Sequence, residues 1–342
     1  MKKSTASLYN SVLKDYSNFH EMSIENLIKE ADVEEEQRIR EKDRTIRRRL
    51  EEYRNYKIED GSSRRTIRKY FALVKTFYRH HEIVIPYIPE VQLKKDYHEK
   101  YDDIPKINHI KTAVESTDEL MEKSIILFMC SSGTARNETI NLTVGDFFKA
   151  CAKYISLELS DENVEDILKE LALKNNIIPL FELVRIKTDY HYYTCCSDEA
   201  SEMIIKYLKT IKRLKLDSKL FDINRNRFNK FFMRINRDNN WGQVGYYGFF
   251  RSHALRKFHA TVIEDKSLAD ALQGRRRDSI TESYYKLNPE RIKERYIEVL
   301  PKLRISQKPV EINNDYYKLK KDNEILNERI NKLEELIKGI SI

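Results

Sequence analysis

Between Lys95 and Pro105 charge is dense and apolar periodicity stops, and this interruption constrains the fold more than any other feature of the chain. Just before it, Ile85-Pro86-Tyr87-Ile88-Pro89 reads as extended backbone, because a residue that precedes proline avoids the helical region. The 342 residues are enough for two ordinary domains. The expected division is a helical domain at 1–100, a larger domain at 101–305 and a separate C-terminal segment at 312–342.

With 8 glycines, 7 prolines and charged residues at 35%, the chain is short of turn-formers and reads as mainly α. Leu8, Val12, Leu13, Tyr16 and Phe19 fall at helical spacing, and Ile24, Leu27 and Ile28 follow a Ser23 placed to cap a second short helix. A long charged helix is expected from Glu34 to Asn55. The next helix opens at Ser62 or Ser63, with apolar Leu73, Val74, Phe77 and Tyr78 in its later turns. Arg64, Arg65, Arg68 and Lys69 make its start basic. Such a patch is either a solvated helix end or a set of phosphate contacts.

Beyond the interruption, helical spacing resumes from Ile107 to Val114, and Ile125-Ile126-Leu127-Phe128-Met129 predicts a buried helix. Asp161 to Leu171 reads as another helix. Leu183 to Thr188 and Tyr190 to Thr194 are two β-rich runs joined by a short turn, which predicts a hairpin with Lys187 at its tip.

A net charge of +8 and a pI near 9.0 favour a polyanionic partner, yet 55 acidic residues mean that the basic groups must be locally concentrated to matter. No apolar run is long enough to span a bilayer, and Met1-Lys2-Lys3-Ser4 is not followed by a signal-peptide core. The expectation is an intracellular, cytoplasmic protein with no membrane partner. Cys130, Cys151, Cys195 and Cys196 lack metal-ligand spacing, and the adjacent pair cannot bridge without strain. Buried free thiols and no metal site are expected.

The segment Arg251-Ser252-His253-Ala254-Leu255-Arg256-Lys257-Phe258-His259-Ala260-Thr261 sets a histidine and an arginine three residues apart in a helix-like frame. Residues so spaced share a helix face. A guanidinium and an imidazole projected together can grip one phosphate. A solvated basic helix would explain this segment taken alone. Its surroundings add Gly133-Thr134-Ala135-Arg136-Asn137-Glu138 and Arg185-Ile186-Lys187-Thr188 upstream, and Leu272-Gln273-Gly274-Arg275 and Tyr284-Tyr285 downstream.

Read in order as Arg, Lys, His-x-x-Arg, Gly-Arg and Tyr, this series resembles the catalytic domain of the tyrosine recombinases, the phage-integrase and Xer-like family, and is most similar to archaeal and archaeal-virus integrases. The resemblance spans roughly residues 5 to 305, with a weaker match to the family's helical core-binding domain in the N-terminal part. It implies a mainly α protein: a helical core-binding domain, an α-rich catalytic domain with a small β-hairpin, and here an added C-terminal helix. It also implies site-specific DNA recombination or integration, as in mobile elements. The reaction takes double-stranded DNA and a homo-oligomer, a tetramer on two DNA sites, and uses no metal or cofactor.

By the same resemblance Arg136 and Arg256 neutralise the non-bridging phosphate oxygens, His253 assists proton transfer at the tyrosine, and Glu138 helps to hold the site. Lys187 protonates the 5′-oxygen leaving group, with Arg185 as the alternative. Arg275 stands where the family usually has histidine or tryptophan, and can still donate a hydrogen bond. Arg276 and Arg277 read as a DNA-backbone patch, and His259 as a packing or capping residue. The nucleophile is Tyr285, with Tyr284 as the alternative; either phenol, with an ordinary pKa of about 10, needs nearby cations and a base. The spacing from Gly133 to Arg136 is one residue longer than the commonest form.

Past Pro301, Tyr316, Asn323, Ile330 and Ile337 alternate with Leu319, Leu326, Leu333 and Ile340 in a seven-residue repeat. This predicts either a coiled-coil seam, with Asn323 favouring a parallel two-stranded register, or an amphipathic helix docked on a subunit. Two other functions fit the same residues: a non-catalytic DNA-binding accessory protein, and a type IB topoisomerase, against which the N-terminal helical module argues.

Overall fold

A computed structural model describes residues 3–93, 97–275, 288–306 and Arg329. The chain is mainly α and divides into two compact units between His98 and Glu99. No helix among the described residues is long and apolar enough to cross a membrane.

The first unit holds α1 (Lys3–Phe19), α2 (Ile24–Glu36), α3 (Thr45–Glu59) and α4 (Arg64–His80). Ser23 caps α2 and Ser63 caps α4, each accepting from the backbone N–H three residues on. Apolar stripes from all four helices meet in a core that includes Val12, Leu27, Leu50 and Val74. Tyr16 and Tyr78 share a hydrogen bond at 3.2 Å inside it, while Tyr53 donates to Asp15 at 2.6 Å.

The long charged helix expected from Glu34 to Asn55 does not form. The chain breaks after Glu36, Arg38 takes a φ of 56°, and a short 3-10 turn at Glu41–Asp43 precedes α3. Few residues between Glu34 and Arg44 are apolar, so a continuous helix there would bury too little to hold it. The break instead lets the Glu34 carboxylate accept from the Thr45 N–H at 2.9 Å, capping α3, and lets Glu35 pair with Arg44 at 2.5 Å.

The second unit is built round α6 (Leu120–Ser132), whose residues are buried from Ser124 to Ser132. A helix apolar on every side belongs at the centre. Before it runs α5 (Ile107–Glu115), and after it α7 (Arg136–Asn141), α8 (Val144–Ala150) and α9 (Val164–Ala172). The antiparallel hairpin β1 (Leu180–Arg185) and β2 (Tyr190–Cys195) pairs Leu180 with Cys195 and Arg185 with Tyr190. Its inward residues Phe181, Leu183, Tyr192 and Thr194 alternate as a half-buried hairpin requires. Thr194 ties it to α6 by donating to the Ser132 carbonyl at 2.8 Å.

Next come α10 (Asp198–Leu208) and α11 (Arg225–Asp238), a minimal hairpin of β3 (Gln243–Val244) and β4 (Tyr247–Gly248), then α12 (Ser252–Ile263), α13 (Lys266–Leu272) and α14 (Pro289–Leu303). The β3–β4 hairpin has no counterpart among the sequence expectations. α10 and α12 pack against α6. All four cysteines are free and buried, and burial pushes their thiols up, which leaves them unreactive. The heptad segment at 312–342 lies outside the described residues apart from Arg329.

Candidate active site

Two left-handed glycines shape the site. α6 ends on Gly133, with φ +64°, where a Cβ would fall 2.5 Å from His259 Nδ1. Gly274, after α13, has φ +58°, and a Cβ there would meet the Tyr192 ring at 2.5 Å. Neither position has room or backbone freedom for a side chain.

The turn after Gly133 is buried and cross-linked: Thr134 Oγ1 bonds Ser132 and Thr139, each at 3.0 Å. It delivers Arg136 as the first residue of α7. The Arg136 guanidinium donates from Nη1 to Asn229 Oδ1 on α11 at 2.9 Å, while its buried Nε has no partner among the described residues. Lost hydration and the nearby Arg225 cation lower its pKa.

Arg256, on α12, is 5% exposed. Its Nη1 donates to the Gly133 carbonyl and its Nη2 to the Gln273 carbonyl, both at 2.6 Å. Burial, then the Arg185 and Arg275 charges, lower its pKa to about 10, against the opposing pull of Tyr192 and Glu138. The guanidinium therefore stays charged at neutral pH. On the far side of the Gly274 turn, Arg185 donates to the Gly274 carbonyl at 2.8 Å and Arg275 pairs with Asp270 at 3.2 Å.

His253 lies exposed at the start of α12. Lost hydration and the charges of Arg251, Arg256 and Arg275 lower its pKa below 6.5, so at neutral pH the imidazole is unprotonated and able to take a proton. Arg251 itself stacks over Tyr247 at 5.3 Å and pairs with Glu99 at 3.4 Å. Among the described residues, one carboxylate oxygen of the buried Glu138 and the hydroxyl of the buried Tyr192 have no hydrogen-bond partner. Burial and the Glu138 charge raise the Tyr192 pKa.

Of the residues singled out from sequence, His253, Arg256 and Arg275 act on one another electrostatically. Arg185, the alternative to Lys187, joins them through Gly274. Lys187 is exposed in the turn between β1 and β2. Arg136 faces α11 instead, and is not among the main charges acting on Arg256. Tyr284, Tyr285, Arg276 and Arg277 lie outside the described residues. In the first unit Arg65, Arg68 and Lys69 are exposed and Arg64 is half-buried. No Asp or Glu occurs from Arg64 to His80, and none of these four cations forms an ion pair among the described residues.

The sequence alone marks neither Asn229 and Arg225 on α11 nor the buried Tyr192; it gives His259 as a packing or capping residue, which its burial fits, without showing Gln273 as its partner. Part of the signal was present. Arg225, Arg227, Lys230, Arg234 and Arg237 recur along α11, where the only acidic residue is Asp238. Nothing in the alternation of β2 marks Tyr192 as other than core. Among the described residues no cluster of His, Cys, Asp or Glu could hold a metal ion.

No protein-family model matches the sequence, and no curated protein matches it. Solved structures with a similar chain path include a XerA recombinase, at 14% identity and a TM-score of 0.33, covering 87% of this chain and 92% of that one. A XerH site-specific recombinase bound to its difH substrate before cleavage has 16% identity and a TM-score of 0.43, covering 72% of this chain and 68% of that one. A lambda integrase tetramer bound to a Holliday junction has 15% identity and a TM-score of 0.40, covering 83% and 80%. At such values the likeness carries no weight on what this chain does.

Proposed function

We propose that this protein is a DNA strand-transfer enzyme of the tyrosine-recombinase kind. One observation carries the reading: among the described residues, Arg185 and Arg256, held on the carbonyls of the Gly133 and Gly274 turns, and Arg136, which follows the Gly133 turn and faces α11, bond neutral acceptors and form no ion pair. A buried arginine such as Arg256 is ordinarily paired with an opposite charge. A set aimed through carbonyl and amide oxygens keeps its charge for an anion from outside, and a phosphodiester suits the guanidinium fork.

In this reading the tyrosine oxygen, Tyr285 or else Tyr284, attacks the scissile phosphorus and passes its proton to His253. The bond from phosphorus to the 5′-oxygen breaks, and that oxygen takes a proton from Lys187 or Arg185. The product is a 3′-phosphotyrosyl link and a free 5′-hydroxyl. A 5′-hydroxyl from a second duplex reverses the step, so no external energy source is needed. The basic faces of α4 and of the first half of α11, where Arg225, Arg227 and Lys230 are exposed, supply backbone contacts to double-stranded DNA. Strand exchange between two duplexes calls for a tetramer.

A nicked duplex carrying the sequences that flank the gene, resolved on a denaturing gel, tests this. The wild type and Tyr284→Phe form a covalent adduct, and Tyr285→Phe does not. Loss in Tyr284→Phe alone reassigns the nucleophile. A second reading, a DNA-binding accessory protein, draws on the commitment of Arg136 to Asn229; tight duplex binding without any adduct favours it.

A further inference from the structure

Behind Arg256 lies a buried polar pair that phosphate contact does not require. His259 is fully buried one turn further along α12, and Gln273, 1% exposed, closes α13. The Gln273 side-chain amide donates to the Arg256 carbonyl at 2.8 Å and bonds His259 Nδ1 at 3.1 Å. The backbone carbonyl of the same glutamine accepts from Arg256 Nη2. Residues Arg256 and Gln273 thus grip each other twice, main chain to side chain in both directions.

The other carbonyl that holds Arg256 belongs to Gly133, and the His259 ring lies against the Gly133 α-carbon so closely that a Cβ would reach its Nδ1, Cε1 and Cγ. His259 therefore touches both residues that accept from the guanidinium. Since the amide group is the donor in its bond to Nδ1, the ring is neutral with its proton on Nε2. That nitrogen has no hydrogen-bond partner among the described residues, and the Ser131 backbone lies near the ring. Burial and the Arg256 and Arg275 charges lower the ring's pKa to about 3, which keeps it in this state across the physiological range.

An apolar pair would fill the same space. Burying an amide and an imidazole costs desolvation that only their hydrogen bonds offset. We infer that His259 and Gln273 are positioning residues: together they hold the two backbone carbonyls that aim Arg256, and so fix the guanidinium before substrate arrives. The inference rests on the reading that Arg256 meets the scissile phosphate, but its structural half can be measured without DNA. Neither residue touches the reacting atoms.

The test follows the Arg256 side chain by NMR after arginine-selective ¹⁵N labelling, with Arg256→Lys used to assign its signals. In the wild type, slow rotation about the Nε–Cζ bond gives separate Nη signals. His259→Asn keeps an acceptor close to the Nδ1 position and retains them. His259→Phe and Gln273→Met fill the space without hydrogen bonding, and the two Nη signals merge. In these two variants adduct formation on the nicked duplex falls by about tenfold to a hundredfold, as for a catalytic group displaced by an ångström or less, while duplex affinity stays within about twofold because backbone contacts elsewhere dominate it. Separate signals that persist in both folded variants overturn the inference. Merged signals in a protein whose wild type forms no adduct sustain the positioning role and count only against the proposed reaction.

Discussion

Asn229 accepts from Arg136 at 2.9 Å and so joins the first turn of α7 to α11 through a neutral oxygen. The neutrality matters because a carboxylate there would compete with phosphate for the guanidinium. Asn229→Asp is therefore expected to cut adduct formation by roughly 10²-fold, the scale of losing one charge-stabilising donor, and to leave the urea midpoint equal or higher. Asn229→Ala costs less, because Arg136 loses its orientation and keeps its charge. Equal adduct rates in wild type and Asn229→Asp would show that Arg136 does not meet the phosphate.

Gly133→Ala forces a Cβ toward His259, and Gly274→Ala forces one toward Tyr192, each at a positive φ. Strain and overpacking together are expected to cost about 2–4 kcal/mol in urea unfolding. Gly61→Ala has a similar φ of +73° but meets nothing within 4 Å among the described residues, so it isolates the backbone component at about 1 kcal/mol. Similar losses at all three positions would contradict the close approach.

The pH dependence of stability carries the signature of His259. The unfolded chain binds a proton at this residue near pH 6.5, whereas the folded chain resists it down to about 3. Between those values the unfolded state holds more protons, so stability falls as pH drops through the window, by up to about 1.4 kcal/mol per pH unit. His253, also lowered, adds in the same direction. Urea midpoints measured from pH 7 to 4.5 should fall less steeply in His259→Asn than in wild type. Parallel curves would mean that the ring is not held neutral.

The exposed cations of α4 are expected to act uniformly on DNA. Replacing Arg65, Arg68 and Lys69 by alanine weakens duplex binding at every sequence and reduces the salt slope by about 0.9 for each phosphate that is no longer neutralised. Stability changes little, because none of the three is buried. An unchanged slope would assign this face to solvent.

Much of the architecture was legible in the sequence because burial imposes periodicity. Ile125 to Met129 had to be a buried helix, Ser23 and Ser63 are capping residues in the right places, and the runs on either side of Lys187 alternate as a hairpin does. The stretch from Glu34 to Asn55 misled because charge without apolar spacing leaves helix length undetermined, and a carboxylate cap at Thr45 decided it. At the site, the order of Arg136, His253, Arg256 and Arg275 could be read, but their supports could not. Asn229 lies 93 residues from Arg136, and Gly133 lies 123 from Arg256. Contacts so distant in sequence leave no local pattern, and His259 and Gln273 become a pair only once α12 and α13 pack together.

In the proposed reaction, arginines spared from carboxylates meet a phosphodiester and a tyrosine attacks it. The most direct measurement is peptide mapping by mass spectrometry of the adduct formed on a nicked duplex, with wild type and Arg256→Ala in parallel. The expected result is a nucleotide joined through its 3′-phosphate to the peptide containing Tyr284 and Tyr285, at Tyr285, and its loss in Arg256→Ala with duplex binding retained. A DNA-linked peptide from elsewhere in the chain, or an adduct that forms equally well without Arg256, would contradict it.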